Sequence, residues 1–165
     1  MGLASFIVIY VYRPVQIEGA SMNPLLWDRD LIFVNRFVYR FEPITRGDII
    51  VFSYPLDPSA SFIKRIVGLP GETIEIRRGR LYVNATELSD QFVPPSYLDQ
   101  SNFSEFRIPA NTYFVMGDHR ESSDDSRFFG PLPRAFIYGK AVLAYWPLDH
   151  FGLLTSPSTV RAASR

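Results

Sequence analysis

Two stretches fix the class of this fold: Arg46-Gly47-Asp48-Ile49-Ile50-Val51-Phe52, and Phe62-Ile63-Lys64-Arg65-Ile66-Val67-Gly68-Leu69-Pro70-Gly71. In the first, a turn feeds four consecutive β-forming apolar residues. In the second, a six-residue run is closed by a Gly-Leu-Pro-Gly break. Short runs of branched and aromatic residues bounded by Gly and Pro mark strands rather than helices. Asp57-Pro58-Ser59-Ala60 between them is expected to be a loop. The same pattern recurs along the chain. Val15 and Ile17 alternate with Gln16 and Glu18, and Leu31 to Val34 and Phe37 to Tyr39 are β-rich. Thr73 to Arg77 and Arg80 to Val83 flank an Arg78-Gly79 hairpin signal. Tyr113 to Met116 and Ile137 to Trp146 complete the set. No long amphipathic period and no internal repeat occur. The expectation is a mostly β chain whose antiparallel sheets form a compact, barrel-like domain with short helices.

With 165 residues, the chain is long enough for one domain with a real core. Seventeen basic side chains balance seventeen acidic ones. That balance points away from a nucleic-acid partner. The absence of cysteine excludes disulfides, thiol catalysis and thiolate metal sites. Thirteen prolines and ten glycines suit strands and loops.

Residues 1–12 stand apart. Gly2 to Tyr12 is uncharged and largely apolar, then Arg13-Pro14 follows. A bilayer span needs about 20 apolar residues, and this run is shorter. It reads as a short or truncated membrane anchor, a buried strand, or a cleaved leader; the lack of a basic segment before it argues against the last. Residues 13–155 form the expected domain, with an aperiodic surface excursion at about 84–109. Residues 156–165 are a polar tail expected to be disordered.

Lys64 is the unusual residue of the central run. Strand alternation puts it on one face with Phe62 and Ile66, while Ile63, Arg65 and Val67 share the other. Lys64 and Arg65 are adjacent, so one of the two is expected to point outward. Apolar company favours the uncharged amine. Bringing a lysine from its ordinary value of about 10.4 to roughly 7–8 takes about 4 kcal/mol, which desolvation can supply if no carboxylate sits beside the amine. A neutral amine can accept a proton from a serine hydroxyl. Ser21, in Glu18-Gly19-Ala20-Ser21-Met22-Asn23-Pro24, is the candidate partner. Taken singly, Ser21 is equally a turn or cap serine, and Lys64 a strand lysine reaching solvent.

A third segment, Gly117-Asp118-His119-Arg120-Glu121-Ser122-Ser123-Asp124-Asp125-Ser126-Arg127, follows a strand. It reads as a solvated loop, or as a scaffold in which Asp125 and Arg127 pair while a serine orients the lysine. A metal loop from Asp118, Asp124 and Asp125 fits poorly, because the alternating ligand spacing of a calcium site is missing.

Together, Gly19 to Pro24, Arg46 to Phe52, Lys64 to Glu72 and Gly117 to Arg127 resemble the four ordered motifs of the type I signal peptidase family, membrane-bound Ser-Lys proteases that remove leader peptides. The resemblance covers roughly Tyr12 to Pro133. It implies Ser21 as nucleophile and Lys64 as general base. Ser123 would orient the lysine, Asp125 and Arg127 would form a supporting ion pair, and Gly117 and Asp118 would be structural. Gly19 would occupy a position where some members carry an oxyanion-binding serine, leaving the Ser21 amide as chief donor. Leu25, His119 and Glu72 depart from the usual threonine, asparagine and aspartate. His119 is read as a loop residue, and His150 as surface.

The resemblance further implies an extended leader peptide with small residues at the first and third positions before the cut. Ile17, Glu18 and Ala20 would lie on one side of it and Phe62 and Ile63 on the other. Neither cofactor nor metal is called for. The expected partners are signal peptides of exported preproteins and a lipid bilayer, with no nucleic acid, and the default state is a monomer. The expected location is a bacterial plasma membrane or a membrane of a bacterially derived organelle, with the catalytic domain on the non-cytoplasmic face. Phe128, Phe129, Phe136, Tyr138 and Trp146 are candidates for membrane docking or for the core. The alternatives are a self-cleaving Ser-Lys regulator and a non-catalytic peptide-binding β domain. The short stretch before Ser21 disfavours the regulator, which carries a DNA-binding domain there.

Overall fold

The computed structural model describes residues 12–88 and 93–154. The three readings of the first eleven residues, and the expected disorder of 156–165, fall outside the described residues.

Among the described residues, twelve strands form two antiparallel sheets. The larger contains β1 (Tyr12–Gln16), β2 (Leu31–Asn35), β3 (Ile49–Tyr54), β4 (Asp57–Gly68), β9 (Thr112–Met116), β10 (Leu132–Pro133), β11 (Ile137–Trp146) and β12 (Gly152–Leu153). Its order is β1-β2-β11-β3-β4-β9-β10, with β12 added on β11. The smaller holds β5 (Thr73–Arg77), β6 (Arg80–Val83), β7 (Thr86–Glu87) and β8 (Phe103–Arg107) in the order β7-β6-β5-β8. Helix is scarce: a single four-residue turn, α1 (Ser126–Phe129), and five 3-10 turns among the described residues. The mostly β, antiparallel reading is therefore right. Among the described residues the path of paired strands in the larger sheet runs from β1 to β10.

Three differences from the sequence reading have local causes. Asp57 to Ala60 is the start of β4, not a loop; the turn is only Pro55-Leu56. Ser61 pairs with Ser53, and a bulge lets Asp57 pair with Tyr54, so a polar, exposed strand end mimics a loop in composition. Phe37 to Tyr39 does not continue β2. The Asn35 Oδ1 accepts from the amides of Phe37 (2.9 Å) and Val38 (3.0 Å), and the chain turns into a 3-10 helix at Val38–Arg40. The excursion at 84–109 contributes β7 and β8, the latter pairing with β5.

β4 is the spine of the molecule, flanked by β3 and β9. Its side chains serve three apolar clusters. Ile63 packs against one built on Ile17, Met22, Leu26, Ile32 and Val51. Phe62 and Ile66 join Ile50, Phe52 and Val115 in the second, and Val67 joins Ile74, Ile76 and Phe114 in the third. Both faces of β4 are covered. This corrects the expectation that Lys64 or Arg65 would face solvent, since each is only 3% exposed.

Candidate active site

Ser21 opens a turn between β1 and β2. Met22 (1% exposed) and Leu26 (0%) bolt that turn into the first cluster, while the Leu26 amide donates to the Met22 carbonyl. Gly19, at φ +87°, takes the left-handed conformation that frees the chain to bend, and its amide donates to Asp28 Oδ1 at 2.8 Å. The bend delivers the Ser21 hydroxyl to the middle of β4. Lys64 Nζ lies 2.7 Å from Ser21 Oγ and 3.1 Å from the Ile63 carbonyl. Burial pushes the lysine down from its ordinary value to about 8, against the opposing pull of Asp125, Asp124 and Asp118. About a tenth of the molecules then carry a neutral amine at pH 7.

The 117–127 segment packs onto this pair from one side. The His119 amide donates to the Ser21 carbonyl at 3.0 Å. A Cβ on Gly117 would run into Ser123 Oγ and would stand 2.5 Å from the Ser21 carbonyl oxygen, so only glycine fits this approach. Asp118, fully buried, grips Arg65 through both oxygens at 2.8 and 2.6 Å. Asp125 likewise holds Arg127 at 2.9 and 2.9 Å and accepts the Arg127 amide as the cap of α1. Ser123 stands beside Gly117 at this same junction. Its hydroxyl donates to Asp125 Oδ2 at 2.7 Å and accepts from the Gly117 amide at 3.1 Å, while the amine's partners are Ser21 and Ile63. The carboxylates of the weighed metal loop are engaged separately: Asp118 by Arg65, Asp125 by Arg127, and Asp124 by the Tyr54 hydroxyl at 2.9 Å.

A cleft of about 650 Å³ runs over the Ser-Lys pair. Residues Val15 to Ser21 form one wall and Ser59 to Lys64 the other, with Ser122 and Asp124 on the rim. Ile17, Glu18, Ala20, Phe62 and Ile63 all line it, with Ile17 doubling as core.

Several charged contacts, one of them reaching the site, escaped the sequence reading. Asp99, inside the aperiodic excursion, bonds Arg127 at 2.6 Å and so anchors that excursion to the site. Asp48 accepts from Tyr39 and Thr45 and pairs with Lys140 at 2.7 Å. His150 is not bland surface. Its Nδ1 lies 2.8 Å from the buried Asp30, a contact that pushes its proton affinity up. One signal was available: Lys64 and Lys140 are the only lysines, and all other cations are arginine. An arginine cannot give up its proton, so a lysine at an apolar position in such a chain singles itself out.

The family model for signal peptidase, peptidase S26, matches residues 1–146. The chain belongs to this family. The signal peptidase I of Leptolyngbya laminosa is 37% identical over 167 residues, which cover 95% of this chain and 78% of that protein. Signal peptidase I P of Bacillus subtilis subsp. natto is 33% identical over 149 residues, 85% of this chain and 80% of that one. The crystal structure of a signal peptidase I from Enterococcus faecalis V583 superimposes with a TM-score of 0.53 at 34% identity, covering 60% of this chain and 97% of that chain. This family member is therefore a serine endopeptidase of the signal peptidase class.

Proposed function

We propose that this peptidase cuts N-terminal signal peptides from exported preproteins with Ser21 as nucleophile and Lys64 as general base. The observation that carries the reading is the 2.7 Å contact between a hydroxyl and an amine brought down to about 8. In the first step Ser21 Oγ attacks the scissile carbonyl while the neutral Lys64 takes its proton. The oxyanion lies against the Ser21 amide; the Gly19 amide already serves Asp28. The ammonium then protonates the leaving amine, and the acyl-enzyme forms. Water, giving its proton to the same amine, releases the leader and regenerates the hydroxyl.

The two-walled cleft suits an extended peptide added as a strand between residues 15–20 and 59–64. Ile17, Ala20, Phe62 and Ile63 leave room for small side chains, in keeping with small residues at the first and third positions before the cut. Trp146, Leu148, Phe151 and Leu153 are all more than half exposed. Such residues, with the apolar run before Arg13, suit docking on a bilayer on its non-cytoplasmic side. No helix among the described residues is long and apolar enough to span one. Phe129, Phe136 and Tyr138 are core-packed instead, whereas Phe128 is exposed.

The test is cleavage of a model preprotein in lipid or detergent by the chain and by Ser21→Ala. The variant is expected to be inactive and folded. Because the neutral amine is the working form, kcat/KM is expected to rise with pH and level off above about 8. At pH 6 it falls about a hundredfold below the plateau. Cleavage by Ser21→Ala at the native rate would end the reading. A flat profile across pH 6–9 would remove Lys64 as base.

A further inference from the structure

Three carboxylates of the 117–127 segment act on the Lys64 amine: Asp125, Asp124 and Asp118. Two of them share their charge with a guanidinium. Asp118 is clamped to Arg65, and Asp125 to Arg127, each through two hydrogen bonds. Asp124 differs. Its Oδ2 accepts a hydrogen bond from the phenol of Tyr54 at 2.9 Å, a neutral donor, and among the described residues no cation pairs with it. It stands on the rim of the cleft that holds Ser21 and Lys64. The remaining carboxylate lining the cleft, Glu18, belongs to the wall made by residues 15–21.

Tyr54 is itself fixed. Its ring stacks on Phe62 at 4.2 Å and 14°, and meets Phe129 edge-on at 5.6 Å. Lys64 Nζ lies 5.2 Å from the centroid of the same Phe62 ring. Phenol on carboxylate, ring on ring and ring beneath amine thus form one chain of contacts from Asp124 to the base.

We propose that Asp124, held by Tyr54, is a positioning residue that sets the pH range over which Lys64 can accept a proton. A standing negative charge favours the ammonium and opposes the neutral amine. Asp118 acts largely as half of a neutral pair with Arg65, whereas Asp125 shares Arg127 with Asp99, so that cluster keeps part of its negative charge and adds to the same pull on the amine. Asp124 acts as a net charge, softened by the water around an exposed side chain. Burial lowers the amine, and Asp124 limits how far. The inference rests on Lys64 as base only for its catalytic consequence; the electrostatic coupling is readable without turnover.

The experiment uses the chain labelled with 15N-lysine. It has only two lysines, so Lys140, paired with Asp48, serves as internal reference. The Nζ resonance of Lys64 is titrated by NMR in the native chain and in Asp124→Asn, Asp124→Glu and Tyr54→Phe, alongside the pH–rate profile on a model preprotein. Asp124→Asn is expected to lower the Lys64 midpoint by about half to one pH unit. That raises the neutral fraction at pH 7 about two- to fivefold. Asp124→Glu keeps the charge and the native midpoint. Tyr54→Phe, which frees the carboxylate to turn into water, moves it the same way as Asn but less. High salt shrinks the difference. A midpoint in Asp124→Asn equal to or above the native one overturns the proposal. A midpoint that drops while the rate profile stays put upholds the coupling and instead overturns Lys64 as the base.

Discussion

Lys64→Met is expected to abolish cleavage and, below pH 8, to make the fold more stable. The catalytic loss should be at least about a thousandfold, because a nucleophile and base that act as a unit fail together. The gain in stability follows from linkage. The folded chain holds the amine near 8, below its unfolded value of 10.5. Below pH 8 both states are protonated and the fold bears the full cost of a buried ammonium, about 3 kcal/mol. Between pH 8 and 10.5 the folded state has shed the proton while the unfolded state keeps it, so native stability climbs and the cost fades. Methionine bears no such cost at any pH and fills similar space. Urea melts of both chains at pH 7 and pH 10.5 measure the difference. A variant less stable than the native chain at pH 7 would show that the amine is not held in a charge-hostile site.

Asp118→Asn should be the most damaging conservative change in the molecule. It leaves Arg65, 3% exposed, facing a neutral amide where it had two charged hydrogen bonds. Breaking one side of a buried pair costs about 3–5 kcal/mol. For a chain of this size that is a fall in Tm on the order of 10 °C. Activity should fall too, since the next residue's amide holds the Ser21 carbonyl. Replacing both partners with apolar residues should recover much of the stability but not the activity. A Tm change under about 2 °C for the single variant would mean that Arg65 is satisfied without Asp118.

Much of this was readable along the chain. Ile49 to Phe52 and Tyr113 to Met116 became strands because their residues are β-formers bounded by turns, and the Arg78-Gly79 hairpin folded as its turn chemistry dictates. The strand start at Asp57 was not readable. An exposed strand end carries the same polar residues as a loop, and only its pairing with Tyr54 tells them apart. The Val38 to Arg40 turn was hidden behind a β-rich composition and imposed by one asparagine side chain.

For the site, the types and order of residues around Ser21, Lys64 and Gly117 already suggested a chemistry, because in a chain with no cysteine and only two histidines an amine that can lose its proton is the best available partner for a reactive hydroxyl. What the chain could not state was which charge meets which. Strand alternation assigns a side chain to a face; it does not say whether that face is covered. Here the sheet is packed on both sides at β4, so Lys64 and Arg65 are both buried, and each is answered differently: the arginine by the Asp118 carboxylate, the lysine by the Ser21 hydroxyl and the Ile63 carbonyl, both uncharged. Asp99 reaching Arg127, and Tyr54 reaching Asp124, join residues 28 and 70 positions apart. Such partners are chosen by how loops close over a sheet, a property of packing that has no local period to read.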